Sequence, residues 1–311
     1  MNSQAAIQNT GGAPKSTWGF ARGFTLTELM VVIALTGLLL AILVPVLAFG
    51  ERSARATEEL NAARQLLRGY TTSSEDAKGR LMVGYLSEDQ DDPDWEGNYD
   101  VLGPDGTQLE GREKRRWTWR LLPYLDNAVE ALFIGQGLAT LDATRGTEDF
   151  AYTLSVHPSF GLNAEWLGGI KGGSGIDDLH TLGQMTGETY YAERRAQVRK
   201  PSQQLVFASS FFALEGSQYM SNEGYFLVSS PWYHTTGWRW NTSEDAGEKS
   251  FSMDPANSWR SGFISARHGD RAATAMLDGH TELESLLDLA DMRRWSNDAW
   301  KSDWVLEPPS P

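Results

Sequence analysis

The sequence predicts an α+β fold in which one long N-terminal helix packs on an antiparallel sheet. Three observations carry that expectation. An uncharged apolar run extends from Leu29 to Phe49, and a helix that crosses a bilayer needs about 20 such residues. Beyond it, Ala56, Leu60, Ala63, Leu67 and Tyr70 recur at helical spacing with charged residues between them, which is the pattern of an amphipathic helix. The remainder is a series of short apolar and aromatic runs punctuated by Gly and Pro, the pattern of short strands joined by loops.

The helix comes first. From Phe24 to Tyr70 it would be roughly 70 Å long at 1.5 Å per residue. Its lower half is apolar all round, and its upper half presents one apolar stripe to a head. Pro45 removes one helix hydrogen bond and Gly37 adds flexibility, so the helix should kink or loosen there. Gly69 reads as a stop signal. In the head, Arg80 to Leu86 reads as a strand, and residues 87–111 as an exposed acidic loop. Trp117 to Leu125 reads as a short helix ending near Pro123, and Asn127 to Leu138 as helix or turn. Ala164 to Gly175 is Gly-rich and reads as a flexible surface loop. Leu205 to Ala208 and Tyr225 to Val228 read as strands. Gly262 to Ala266 and Ala272 to Leu277 flank His268-Gly269-Asp270 as a hairpin, and Asp278-Gly279 signals a second tight turn. Leu283 to Arg294 reads as an amphipathic helix, and the tail EPPSP as disordered. The expected organisation is a leader at 1–23, a helix at 24–70, a head with large loop insertions at 71–305 and a flexible tail at 306–311.

Composition narrows the function. Of 311 residues 41% are hydrophobic, with 12 Trp, so the part beyond the N-terminal anchor can fold around a sizeable core. The formal net charge is −14, and residues 1–23 hold Lys15 and Arg22 with no acid. The acidic excess therefore lies beyond them, and such a surface repels nucleic acid phosphates and anionic lipid headgroups. With no Cys, disulfides, thiolate metal sites and cysteine nucleophiles are excluded.

Glu28 needs a reason. A charge at the centre of a membrane helix costs about 2.5–3.5 kcal/mol, less near the interface. Two bland readings are a signal peptide cut after Val46-Leu47-Ala48 and a plain anchor. A signal peptide's apolar region is shorter, and a plain anchor has no use for the carboxylate. The stretch Gly23-Phe24-Thr25-Leu26-Thr27-Glu28-Leu29 resembles the processing site of type IV prepilins and type II secretion pseudopilins. The resemblance implies a pilin-like fold and a peptidase that cuts after Gly23 and methylates the new N-terminal Phe24. Glu28 is then the fifth mature residue and Pro45 the twenty-second, where family members also carry Glu and Pro. It further implies a structural subunit with no cofactor, inserted once through the inner membrane with its head in the periplasm or in a filament. Its partners would be the prepilin peptidase, other pilin or pseudopilin subunits and the inner-membrane assembly platform. Glu28 would pair with the Phe24 amino group of a neighbour and select axial register.

A second resemblance lies near the C-terminus. Arg267-His268, nine residues, then Asp278-Gly279-His280 is similar to the H-x9-DG segment of a large family of bacterial pilin-like proteins, as is the Trp119 to Leu125 stretch. That family supplies an architecture and no substrate.

The candidate chemistry is sparse. His268, Asp278 and His280 are N/O donors that would suit a divalent ion if the hairpin brought them together. The structural alternative has Asp278-Gly279 making a turn and His268 bonding the backbone. Asp92-Pro93-Asp94-Trp95-Glu96-Gly97 partly fits a calcium loop, but the closing position is Gly103, where a Glu is required. The glycines around Lys171 do not spell a phosphate loop. Trp232, Trp238, Trp240 and Trp259 are candidates for a sugar-stacking surface or for core. The rival to a structural subunit is thus a membrane-anchored periplasmic metal- or glycan-binding protein or enzyme.

Overall fold

The computed structural model of the protein describes residues 24–103, 105–171, 188–214, 224–231, 240, 242–245, 248–251, 253–254 and 256–307. The chain divides after Glu51 into two units. The first holds the start of helix α1 (Leu26–Asp76), which runs without interruption through Gly37, Pro45 and Gly50. Its described side chains are exposed, among them Leu38, Leu39 and Ile42. By length and composition α1 is able to cross a membrane.

The second unit begins at Arg52. Here α1 becomes one-sided: Glu59, Ala63, Leu66, Leu67 and Tyr70 are buried, and burying each Leu is worth about 1.5–3 kcal/mol. This stripe packs on a four-stranded antiparallel sheet of order β1-β2-β5-β6. Its strands are β1 (Phe160–Leu162), β2 (Leu205–Ser209), β5 (Arg271–Met276) and β6 (Thr281–Ser285). Phe160 faces Ser209, Phe207 faces Ala275 and Ala273 faces Leu283. The fold is α+β, a long N-terminal helix packed on an antiparallel sheet.

Both faces of the sheet are covered. Phe207, Ala273 and Ala275 join Ala63, Leu66, Leu67 and Tyr70 in one core, where Tyr70 meets the Phe207 ring edge-on at 5.7 Å. Leu205, Ala272 and Met276 point the other way, into a core with Trp166, Leu289 and Trp295. On β5 this alternation follows from the two-residue period of a strand, whereas on β2 Leu205 and Phe207 fall on opposite faces because the pairing register shifts between them. Between α1 and the sheet the chain inserts α2 (Gly111–Arg115), α3 (Trp117–Leu121), α4 (Gln136–Thr144) and α5 (Phe150–Val156). A separate two-stranded ribbon, β3 (Thr242–Asp245) and β4 (Glu248–Phe251), follows β2. The short helix α6 (Leu286–Leu289) follows β6 and carries a capping box at Ser285 and Asp288.

Several local expectations are corrected. Gly69 does not stop α1, which continues to Asp76. A Cβ at Gly69 would stand 2.8 Å from Leu125 Cδ2, so the glycine serves close approach. Arg80 to Leu86 is extended but forms isolated bridges, at Arg80 to Arg194 and at Tyr85 to Arg116 and Ile170. Tyr225 to Val228 makes one bridge, Leu162 to Leu227. The hairpin expected across His268 does not form. Ile264 bridges Ser210 and the Ser265 N–H donates to Ser209 O, so the first arm lies beside β2, while β5 pairs with β6 over Asp278-Gly279. The helix expected over Leu283 to Arg294 is split into the end of β6, α6 and a 3-10 turn at Met292–Arg294. Trp117 to Leu125 is helical as expected, as α3 followed by a 3-10 turn holding Pro123. Ala164 to Lys171 is buried, and Gly168, at φ +76°, has room for no Cβ because Met82 O would be 2.1 Å away. Glycines 172, 173 and 175 lie outside the described residues. Leu306, placed in the tail, is buried in the second core, and residues 308–311 lie outside the described ones.

Candidate functional site

The N-terminal residues form a capping box. Thr25 precedes the first helical residue. Its N–H and its Oγ1 donate to Glu28 Oε2 at 2.9 and 2.7 Å, and the Glu28 N–H reaches back to Thr25 Oγ1 at 3.2 Å. The T-x-x-E spacing is a known helix start, so the sequence itself carries this second signal at Glu28. Phe24 is exposed, and Gly23 lies outside the described residues. Pro45 sits inside α1, where its missing N–H leaves the Ala41 carbonyl without its usual helix partner.

The upper part of α1 carries a polar site that sequence reasoning missed. Glu59 lies on the buried stripe with 3% of its surface exposed. Its Oε2 is 2.5 Å from His268 Nε2, and its Oε1 accepts a short bond from the Ser209 hydroxyl. Arg267 Nε stands 3.6 Å from Oε1. The only sequence sign was position: Glu59 is four residues before Ala63, on the apolar face. A buried carboxylate is tolerable only with such partners. The order of bonds is serine to carboxylate to histidine. The serine hydroxyl donates to the carboxylate and not to the histidine, so the set does not have the serine-histidine-carboxylate order of a serine hydrolase.

His268 is therefore committed to Glu59 and does not meet Asp278 and His280. Those two sit on the β5–β6 turn, where Asp278 Oδ1 is 2.6 Å from His280 Nδ1 and accepts the His280 N–H at 3.2 Å. Burial acts to raise the Asp278 carboxyl, but the two bonds from His280 hold it below its ordinary value. Gly279, at φ +109°, closes the turn in a conformation that favours glycine. Among the described residues no group of three donors could hold a metal ion. Asp278-Gly279 makes the turn, as the structural alternative had it, and His268 reaches a carboxylate that neither reading contained.

The acidic loop also differs from expectation. Asp92 and Asp94 are buried. Asp94 takes Arg80 Nη2 at 2.9 Å and the Tyr99 hydroxyl at 2.8 Å, and Lys171 Nζ lies 3.6 Å from Asp94 and 3.9 Å from Asp92. Burial and the nearby Asp94 push the Tyr99 hydroxyl up to about 12. Burial works against the Lys171 charge, yet Tyr191, Asp92 and Asp94 hold it above its ordinary value. An ammonium thus stands between carboxylates that a calcium loop would turn toward its ion.

Trp240 is core, donating its Nε1–H to Ser229 O at 3.0 Å. Trp259 is half-exposed under the Arg260 guanidinium. Trp232 and Trp238 lie outside the described residues. A cleft of about 820 Å³ is lined by Leu81, Met82, Val101, Trp119, Arg120 and Tyr124 among others. Burial lowers the Arg120 guanidinium to about 10. Its Nη2 donates to the carbonyls of Val83 and Arg115, so its bonds support the fold.

Set against known proteins, the chain matches no curated protein and no solved structure. Residues 20–44, which run across the Thr25–Glu28 box into the apolar helix, match the family model of the prokaryotic N-terminal methylation motif, and this likeness supports a type IV pilin-like prepilin.

Proposed function

We propose that the protein is a pilin-like structural subunit, cut between Gly23 and Phe24, methylated on Phe24 by the prepilin peptidase, and assembled through α1 into a type II secretion pseudopilus or a type IV pilus. The observation that carries this reading is the methylation motif at residues 20–44, which ends within an exposed apolar helix. On this reading residues 1–23 are a leader, and the chain spans the inner membrane once before entering a filament. Glu28 leaves Thr25 and pairs with the Phe24 amino group of a neighbouring subunit. In a core without water an unpaired carboxylate is costly, so the pair selects axial register. Other subunits and the inner-membrane assembly platform are its partners. The metal-binding rival loses its geometric support, since His268 is engaged by Glu59.

Mass spectrometry of the mature protein from its native host tests the processing step. A chain starting at Phe24 with one added methyl group is expected. A chain starting after Ala48 would mean an ordinary signal peptide and would overturn the proposal.

A further inference from the structure

The H-x9-DG segment takes no part in processing or in the filament core, yet both of its ends lie along α1. His268 stands just before β5 and holds Glu59. Asp278 and Gly279 form the turn at the other end of β5, and with Arg64, Arg68 and Thr72 of α1 they line a cleft of about 320 Å³. The first residue after the turn and His280 is Thr281, whose hydroxyl accepts Arg64 Nη2 at 2.9 Å.

The spacing fits this arrangement. The six residues of β5 span about 20 Å at 3.3 Å each. The thirteen helical steps from Glu59 to Thr72 also span about 20 Å. The two ends of the motif meet α1 at two levels, His268 at Glu59 and the Asp278-Gly279 turn at the cleft lined by Arg64, Arg68 and Thr72. The nine residues between His268 and Asp278 hold the whole of β5.

Glu59 is also the first buried residue of α1, and Ser209 links its bond into the sheet, because the Ser209 Oγ accepts the Ala273 N–H at 3.1 Å. We propose that the H-x9-DG segment is a seat for the helix. His268, with Arg267 and Ser209, grips Glu59 at one end of β5, and the Asp278-Gly279 turn sets Thr281 against Arg64 at the other. Apolar contacts such as Leu66 and Leu67 supply affinity without direction. The two directional polar contacts set the axial register of α1 on the sheet. Glu59 and His268 are thus positioning residues for assembly, a role that rests on the filament reading.

Hydrogen exchange on the full mature chain in detergent micelles, read by mass spectrometry, tests the seat before any assembly occurs. In Glu59→Ala and in His268→Ala, amides of residues 55–62 should exchange about tenfold to a hundredfold faster, the loss of a charge-assisted hydrogen bond. Amides of residues 66–74 and of β2 should keep their protection. Because the two side chains act as one contact, the double variant should exchange no faster than the faster single variant. Glu59→Gln keeps the reach of the side chain without the charge and should fall between wild type and Glu59→Ala, which serves if an alanine variant does not fold. Unchanged exchange at 55–62, equal loss of protection across the whole head, or full addition of the two single effects would each overturn the seat. A Glu28→Ala subunit that still enters filaments would instead refute the register account of the filament core and leave the seat standing, since exchange is read on unassembled chains.

Discussion

Replacing His157 by Asn should turn an acid-labile head into a more acid-tolerant one. His157 is buried, with Nδ1 3.1 Å from Gly224 O and its ring edge-on to Phe212 at 5.6 Å. Burial, chiefly, with the nearby Arg116 charge, lowers its pKa from 6.5 to about 4. The folded chain therefore holds the ring neutral at a pH where the unfolded chain binds a proton. Above pH 6.5 the difference costs nothing. As pH falls below 6.5 the unfolded state gains a proton first, and stability is lost until the folded ring also titrates near pH 4. The linkage relation gives a loss of about 1.4 kcal/mol by pH 5.5 and about 2 kcal/mol by pH 5. Asn keeps a donor near Nδ1 but loses the ring, at a cost of about 1–2 kcal/mol at neutral pH. The two stability curves should then cross close to pH 5.5. Urea unfolding of the mature chain in detergent, followed by tryptophan fluorescence between pH 4.5 and 7.5, measures both. Carboxylates that titrate in the same range act on both proteins, so the difference isolates His157. A wild-type-minus-variant difference that does not change with pH would refute the reasoning.

Other perturbations have equally definite outcomes. Glu28→Ala should leave cleavage after Gly23 intact and remove the subunit from filaments, scored by mass spectrometry and by filament yield in the host. Gly168→Ala forces a Cβ against Met82 O at a positive φ and should cost about 3 kcal/mol or more, read as loss of folded protein or a lowered urea midpoint. Lys171→Met removes the ammonium beside the buried Asp92 and Asp94 carboxylates while Arg80 and Tyr99 still hold Asp94, and should cost up to about 3 kcal/mol in the same assay. His280→Ala removes part-exposed contacts to Asp278 and Glu282 and should change stability by less than about 0.5 kcal/mol. An effect as large as that of His268→Ala would show that the two histidines are not separate.

The long helix and the sheet were legible because their signals are local. The uncharged run Leu29 to Phe49 and the stripe Ala63, Leu67, Tyr70 state a helix and its buried face, and Leu205 to Ala208 states a strand buried on both sides. What was not legible depended on partners distant in sequence. Glu59 reads as one more surface charge until Ser209 and His268 arrive beside it. Asp92 and Asp94 read as solvated until Lys171, far along the chain, is folded in among them. The Gly-rich run at Ala164 reads as mobile because glycine frees the backbone, whereas at Gly168 the missing side chain lets Met82 come close. His268 was legible as a motif residue, but its partner was not, because the hairpin expected around it paired elsewhere.

The order of the sheet has a consequence for solubility. Subunits stored side by side must not zip together through unpaired strand edges, the usual start of insoluble aggregation. The outer side of β1 is already engaged, since the Leu162 N–H donates to Phe226 O and the Val228 N–H to Leu162 O. That leaves β6 as the outer strand on the opposite side. It is five residues long, carries Glu282 and Glu284, and turns at once into α6. Two copies meeting edge to edge there would find only a very short span, with Glu282 part-exposed on it and Glu284 buried against Arg294. The shortness of this edge and its immediate turn into α6 thus leave little unpaired backbone for a second copy to extend.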